Sequence, residues 1–183
     1  MRGKSHRCLG RYLAERYMHD IPIWCSKAFL LGCIEPDRNP LTYLKGSLRY
    51  QWLRGHNYRN AYRFMRKISV RLEQKRKLNI YDYYTLGKLI HYTADAFTHA
   101  HNMDSSMDLR MHKQYEDNLQ AYFLKFIAQD PQADLVIAQS VMETICTYHW
   151  EYEQREPDVQ NDSQFVLTTC CCIFLILFAK PIA

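Results

Sequence analysis

The sequence predicts an all-α fold, a single domain over residues 1–183 built as a bundle of seven or eight helices. Apolar residues recur at intervals of three and four along nearly the whole chain, the spacing that lines up side chains on one face of a helix. No alternating apolar and polar run bounded by turns lasts long enough to build a sheet. The chain is 48% hydrophobic and 14% aromatic with only six glycines and six prolines, which supplies a core and excludes disordered or collagen-like classes. Its 183 residues are an ordinary length for one domain.

A first helix is expected from Ser5 to Met18, with Leu9, Tyr12, Leu13 and Tyr17 on one face and Ser5 as its cap. A short second helix covers Trp24 to Leu31 and ends at Gly32. Pro36 and Pro40 then break the backbone, which puts Asp37 in a loop. A third runs from Thr42 to Arg54, and a long basic one from His56 or Asn57 to Lys77. The next starts after Asn79, near Asp82, and carries Leu86, Leu89, Ile90, Ala94 and Phe97 inward as far as His101. A turn over Asn102 to Ser106 leads to a helix from Met107 to Ala128. Pro131 opens another that reaches Tyr152, Pro157 ends it, and Ser163 to Lys180 closes the bundle.

The net charge of +5 is unevenly spread. Ten Lys or Arg and the single acid Glu73 fall between Arg49 and Lys77, giving +9 there and −4 elsewhere. Such a basic face either is solvated or concentrates phosphate-bearing partners, lipid headgroups or nucleic acid. The seven cysteines (Cys8, Cys25, Cys33, Cys146 and Cys170 to Cys172) show no paired spacing and read as reduced, buried thiols. The N-terminus meets no apolar run of signal-peptide length before Glu15 and Arg16, so a cytoplasmic location is expected, with peripheral membrane association open. The apolar stretch Phe165 to Ala179 is shorter than the roughly 20 residues of a spanning helix. It reads as a buried terminal helix, with a tail anchor as the alternative.

The chemically distinctive segment is His91, Asp95, His99 and His101, followed by His112 and Glu116. His91 with Asp95, and His112 with Glu116, lie four apart, so each pair presents an imidazole and a carboxylate side by side on a helix. Zinc takes imidazole nitrogen and carboxylate oxygen, usually four groups per ion. Each pair is half a site, and His101 at the corner between the helices can serve either. A single such pair is weak as a signal; two on successive helices are much stronger. His99 faces away from His91 and Asp95 and is left outside the ligand set, as are His19 and His149.

On these residues the chain resembles the zinc-dependent phospholipase C family, whose helical fold is shared with fungal single-strand nucleases. The order His, Asp, His, His, Glu is met at His91, Asp95, His101, His112 and Glu116, and the spacing of the first three is the family's own. Upstream, His6, the Asp37 loop and His56 occupy the places of the family's early ligands, so the resemblance covers Met1 to Glu116. It implies that Asp37, His56, His91 and Asp95 hold one zinc ion, that His101, His112 and Glu116 hold a second, and that His6 and Asp95 hold a third with the Met1 amine. The family normally begins at a tryptophan freed by signal-peptide cleavage, and here the first residue is Met1; two or three ions are therefore both open. The implied activity is cleavage of a phospholipid to diacylglycerol and a phosphorylated headgroup, with Asp37 orienting or deprotonating the attacking water. Glu35 is a weaker candidate and reads as a loop residue. Tyr50, Trp52, Tyr58 and Tyr62, set among arginines, either face a headgroup, stack bases or simply pack between helices. A nuclease or other phosphodiesterase, and a non-catalytic metal-binding helical protein attached to a membrane, are the competing readings.

Overall fold

The computed structural model describes residues 1–38, 58–102, 109–133, 135–136 and 138–178. Among them lie eight helices and no strand: α1 (Gly3–Tyr17), α2 (Ile23–Arg38), α3 (Tyr58–Glu73), α4 (Ile80–Ala96), α5 (His99–Asn102), α6 (Leu109–Ala128), α7 (Val141–Glu153) and α8 (Val159–Phe178). The expected all-α class holds, while the helix expected over Thr42 to Arg54 lies outside the described residues.

The central helix is α4, buried almost throughout from Asp82 to Ala96. Its start is set by a capping box: the Asn79 side chain accepts from the Asp82 N–H at 3.0 Å, and Asp82 accepts from the Asn79 N–H at 2.9 Å. Asp82 is buried as a carboxylate because Lys75 reaches it at 2.6 Å and Arg71 also pairs with it. Around α4 the apolar side chains form one core that includes Leu9, Phe29, Met65, Phe97, Phe123 and Phe174.

Three expectations change. Helix α2 does not end at Gly32 but continues through Pro36 to Arg38. Gly32 is a contact point: a Cβ there would stand 2.1 Å from the Tyr84 carbonyl oxygen, and one on Gly87 would stand 2.1 Å from that of Phe29. The two glycines let α2 and α4 touch backbone to backbone. Asp37 and Glu35 therefore sit on the last turn of a helix and not in a loop. Pro131 opens no helix, since the described residues from Pro131 to Gln139 are irregular and α7 begins only at Val141. Its cap is Ser140, whose hydroxyl accepts from the Glu143 N–H at 3.2 Å, and the Val141 N–H donates to Glu73 at 2.6 Å.

Helix α8 has the length and composition to cross a membrane, yet 61% of that stretch is buried within the bundle. Leu167, Cys170, Cys172, Ile173 and Phe174 are buried in the core, as expected of a terminal helix. All seven cysteines are free thiols.

Candidate metal centre

Helix α2 runs parallel to α4, and their shared glycine contact fixes how the C-terminal ends meet. Asp37, on the last turn of α2, is brought to His91 and Asp95 on the last turns of α4. The start of α1 adds His6. Histidine and carboxylate ligand atoms from His6, Asp37, His91 and Asp95 all lie within 4.8 Å of one another. Three of the four residues are buried, and Asp37 is 27% exposed, which makes its side the open one.

The spacings suit a metal ion. With bonds of about 2.1 Å to a tetrahedral zinc, neighbouring ligand atoms stand roughly 3.4 Å apart. His6 Nε2 is 3.1 Å from Asp95 Oδ1, His91 Nε2 is 3.2 Å from Asp95 Oδ2, and His91 Nε2 is 3.5 Å from Asp37 Oδ1. The other nitrogen of His91, Nδ1, lies 3.0 Å from the Cys33 carbonyl. As the donor there, it orients the ring and leaves a lone pair on Nε2 aimed at the two carboxylates. The His6 and His91 rings stack with centroids 3.9 Å apart, and His6 Nδ1 is buried without a hydrogen-bond partner.

Electrostatics point the same way. Burial pulls the His6 pKa down to about 4, with help from His91, so its imidazole is neutral and able to ligate. Burial also lowers His91, but Asp95 and Asp37 outweigh it and the net shift is upward. Asp95 is pushed up by burial, yet the Met1 ammonium and the surrounding histidines hold it well below the usual carboxylate range. A buried carboxylate so strongly favoured as an anion is a site prepared for positive charge.

A second group adjoins the first through Asp95. The Met1 amine lies 2.7 Å from Asp95 Oδ1, 2.5 Å from His101 Nε2 and 3.6 Å from Glu116 Oε1. His101 Nε2 is 3.4 Å from Glu116 Oε1, and His112 Nε2 is 4.0 Å from Glu116 Oε2. Glu116 is lowered to about 2, where the His101 hydrogen bond and the Met1 ammonium overcome burial. Arg2 pairs with Asp117 and approaches Glu116 at 3.9 Å, which fixes the chain start over α6.

Of the residues expected from sequence, Met1, His6, Asp37, His91, Asp95, His101 and Glu116 converge, and His112 stands at the edge. His56, Tyr50 and Trp52 lie outside the described residues. His99 stays out of the cluster, its ring 5.5 Å from Tyr115. Tyr58 stacks on buried His149 at 3.6 Å, which is the packing role, and its hydroxyl donates to Cys146.

Sequence reasoning missed two supports. Lys88 is buried one turn before His91 and pairs with Glu35 at 2.6 Å. That ion pair ties the end of α2 to α4 two residues before Asp37, and a lysine among Leu86, Leu89 and Ile90 was its visible signal. The other is Asp162 on α8, fully buried, which accepts from Tyr152 at 2.7 Å, Tyr115 at 2.9 Å and the His99 N–H at 3.0 Å. It joins α5, α6, α7 and α8 behind His101 and Glu116. No local pattern announced it.

A family model described as zinc dependent phospholipase C matches residues 15–160. That span holds Asp37, His91, Asp95, His101, His112 and Glu116, while Met1, His6 and Asp162 fall outside it. No curated protein and no solved structure gives a match.

Proposed function

Because the chain belongs to the zinc-dependent phospholipase C family, we propose that it hydrolyses a phosphodiester, a glycerophospholipid, to diacylglycerol and a phosphorylated headgroup. The observation that carries this reading is the buried group of His6, Asp37, His91 and Asp95 with ligand spacing, joined through Asp95 to Met1, His101 and Glu116. Two or three zinc ions held there would supply charge for the phosphoryl oxygens and bring a water's pKa toward neutrality.

The residues divide the remaining work. His91, oriented by the Cys33 carbonyl, and His6, kept neutral by burial, present lone pairs from inside. Asp95 lies between the two groups and is shared by them. Asp37, the most exposed of the four, would orient the attacking water and take its proton. His101 and Glu116, with His112 at the edge and the Met1 amine, form the second group, joined to the first through Asp95.

The test is turnover by the zinc-loaded, untagged chain of a chromogenic phosphocholine ester against single-stranded DNA. Ester cleavage that disappears in Asp37→Asn with zinc retained supports the reading. Turnover of DNA alone would make the protein a nuclease on the same fold, and silence on both substrates with zinc bound would make it a non-catalytic metal protein.

A further inference from the structure

We propose that the outer side of α2, together with the first turn of α4, is the surface on which this protein docks to an anionic lipid bilayer. The inference rests on the phospholipid reading above and names where the membrane is met.

Among the described residues, ten large apolar side chains are exposed, and five of them, Ile23, Trp24, Leu31, Ile80 and Tyr81, lie on these two adjacent helices. Trp24 and Ile23 are each 62% exposed, Tyr81 56%, Leu31 52% and Ile80 51%. Clustered exposed apolar side chains mark an interaction surface, whereas scattered ones do not. On α2 the residues Trp24, Lys27, Leu31 and Arg38 fall within one narrow arc at helical spacing, and all four are exposed. The stripe therefore alternates apolar groups with cations.

Charge selects the occupant. Trp24 and Ile80 border a cleft of about 1160 Å³ at the head of α2 and α4, and Lys75, Arg76 and Lys77 line the same cleft. Arg76 and Lys77 are exposed and Lys75 is paired with Asp82; of the two acids in the lining, Glu73 is engaged by the Val141 N–H and Asp20 is exposed, so the free charge at the rim is two cations against one carboxylate. Indole and phenol rings with long basic side chains are the mixture that settles at the headgroup level of a negatively charged leaflet.

The direction of the stripe fits the chemistry. Trp24 and Asp37 are separated by 13 residues of one helix, roughly 20 Å. A bilayer lying along α2 thus meets the rim of the metal centre at Arg38, beside the open carboxylate of Asp37.

The experiment is flotation of the full zinc-loaded chain with vesicles of phosphatidylcholine alone and of phosphatidylcholine with phosphatidylglycerol. Binding is expected to the anionic vesicles and to weaken in high salt. Trp24→Ser with Ile80→Ser is expected to lower partitioning roughly tenfold or more. Arg76→Gln with Lys77→Gln is expected to lower it roughly 25-fold, about fivefold per cation. Unaltered circular dichroism and thermal melting show that the variants are folded. Variants that bind as the wild type does, salt-independent binding to neutral vesicles, or no vesicle binding would each overturn the proposal. So would a lipid-free dimer abolished by the same substitutions, since the face would then cover a second copy. Turnover of a water-soluble ester by the wild type is read in parallel. Its absence with vesicle binding intact strikes only the functional reading, and the reverse strikes only the docking surface.

Discussion

Replacing Gly87 by alanine tests whether the contact between α2 and α4 is what assembles the metal centre. The added Cβ would stand 2.1 Å from the Phe29 carbonyl oxygen and 2.8 Å from the Cys33 nitrogen, both backbone atoms that no rotamer change can move. Carbon-to-oxygen contacts between packed backbones settle near 3.3 Å, so the helices must part by roughly 1 Å. Overpacking of this kind costs about 1–3 kcal/mol and at times more. For a chain of this length about 3 kcal/mol lowers Tm by roughly 6–12 °C. The displacement falls on Asp37 and the Cys33 carbonyl, while metal ligands tolerate only about 0.2 Å of misplacement. Gly87→Ala is therefore expected to lose zinc as well as stability, although it alters no ligand. Thermal melting with and without added zinc, and elemental analysis after gel filtration, read the two effects separately. A variant that keeps the wild-type Tm and its full zinc content would refute the argument that this backbone contact sets the ligand distances.

Four further outcomes are expected. Extending the chain ahead of Met1 turns its amine, 2.7 Å from Asp95, into an amide that has neither a lone pair for a metal nor a charge for the carboxylate, so the tagged protein should bind less zinc and, metal-free, melt lower than the same protein after tag removal, by elemental analysis and calorimetry. His91→Ala should abolish turnover and, by leaving buried carboxylates without their partner, cost about 3–5 kcal/mol in denaturant unfolding. Glu116 titrates at about 2 when folded, below its ordinary 4.5, so its contribution is present above pH 4.5 and fades as the pH falls toward 2. The metal-free protein should lose stability over that window, and Glu116→Gln should flatten that limb of a pH-melting curve. Asp162→Ala strands the Tyr152 and Tyr115 hydroxyls at about 1–3 kcal/mol each, and should loosen α5 and α6 enough to lower zinc retention against chelator.

Local spacing made much of this legible. The four-residue steps from His91 to Asp95 and from His112 to Glu116 depend only on helical geometry, and the apolar period placed the bodies of α1, α3, α4, α6 and α8, though not every boundary. The start of α4 was expected near Asp82 and falls two residues earlier, at Ile80, because Asp82 is the third residue of a capping box closed on Asn79. Gly32 and Pro36 misled, since both usually break helices. Gly32 instead answers to Gly87, a partner 55 positions away in the sequence, and a local reading has no term for that. Asp162 was invisible for the same reason: its three donors come from three other elements. The run after Pro131 has helical spacing, yet its described residues are irregular up to the Ser140 cap, so periodicity alone set no boundary there.

The parallel course of α2 and α4 has an electrostatic result of its own. Peptide dipoles add along each helix to roughly half a negative charge at its C-terminal end and half a positive charge at its N-terminal end. Both negative ends point at the cluster that already holds Asp37 and Asp95, so the backbone deepens the potential well into which a divalent cation falls. Both positive ends point at the cleft beside Arg76 and Lys77, where the backbone adds its own pull on an anion. One pair of aligned helices thus polarises the molecule from end to end.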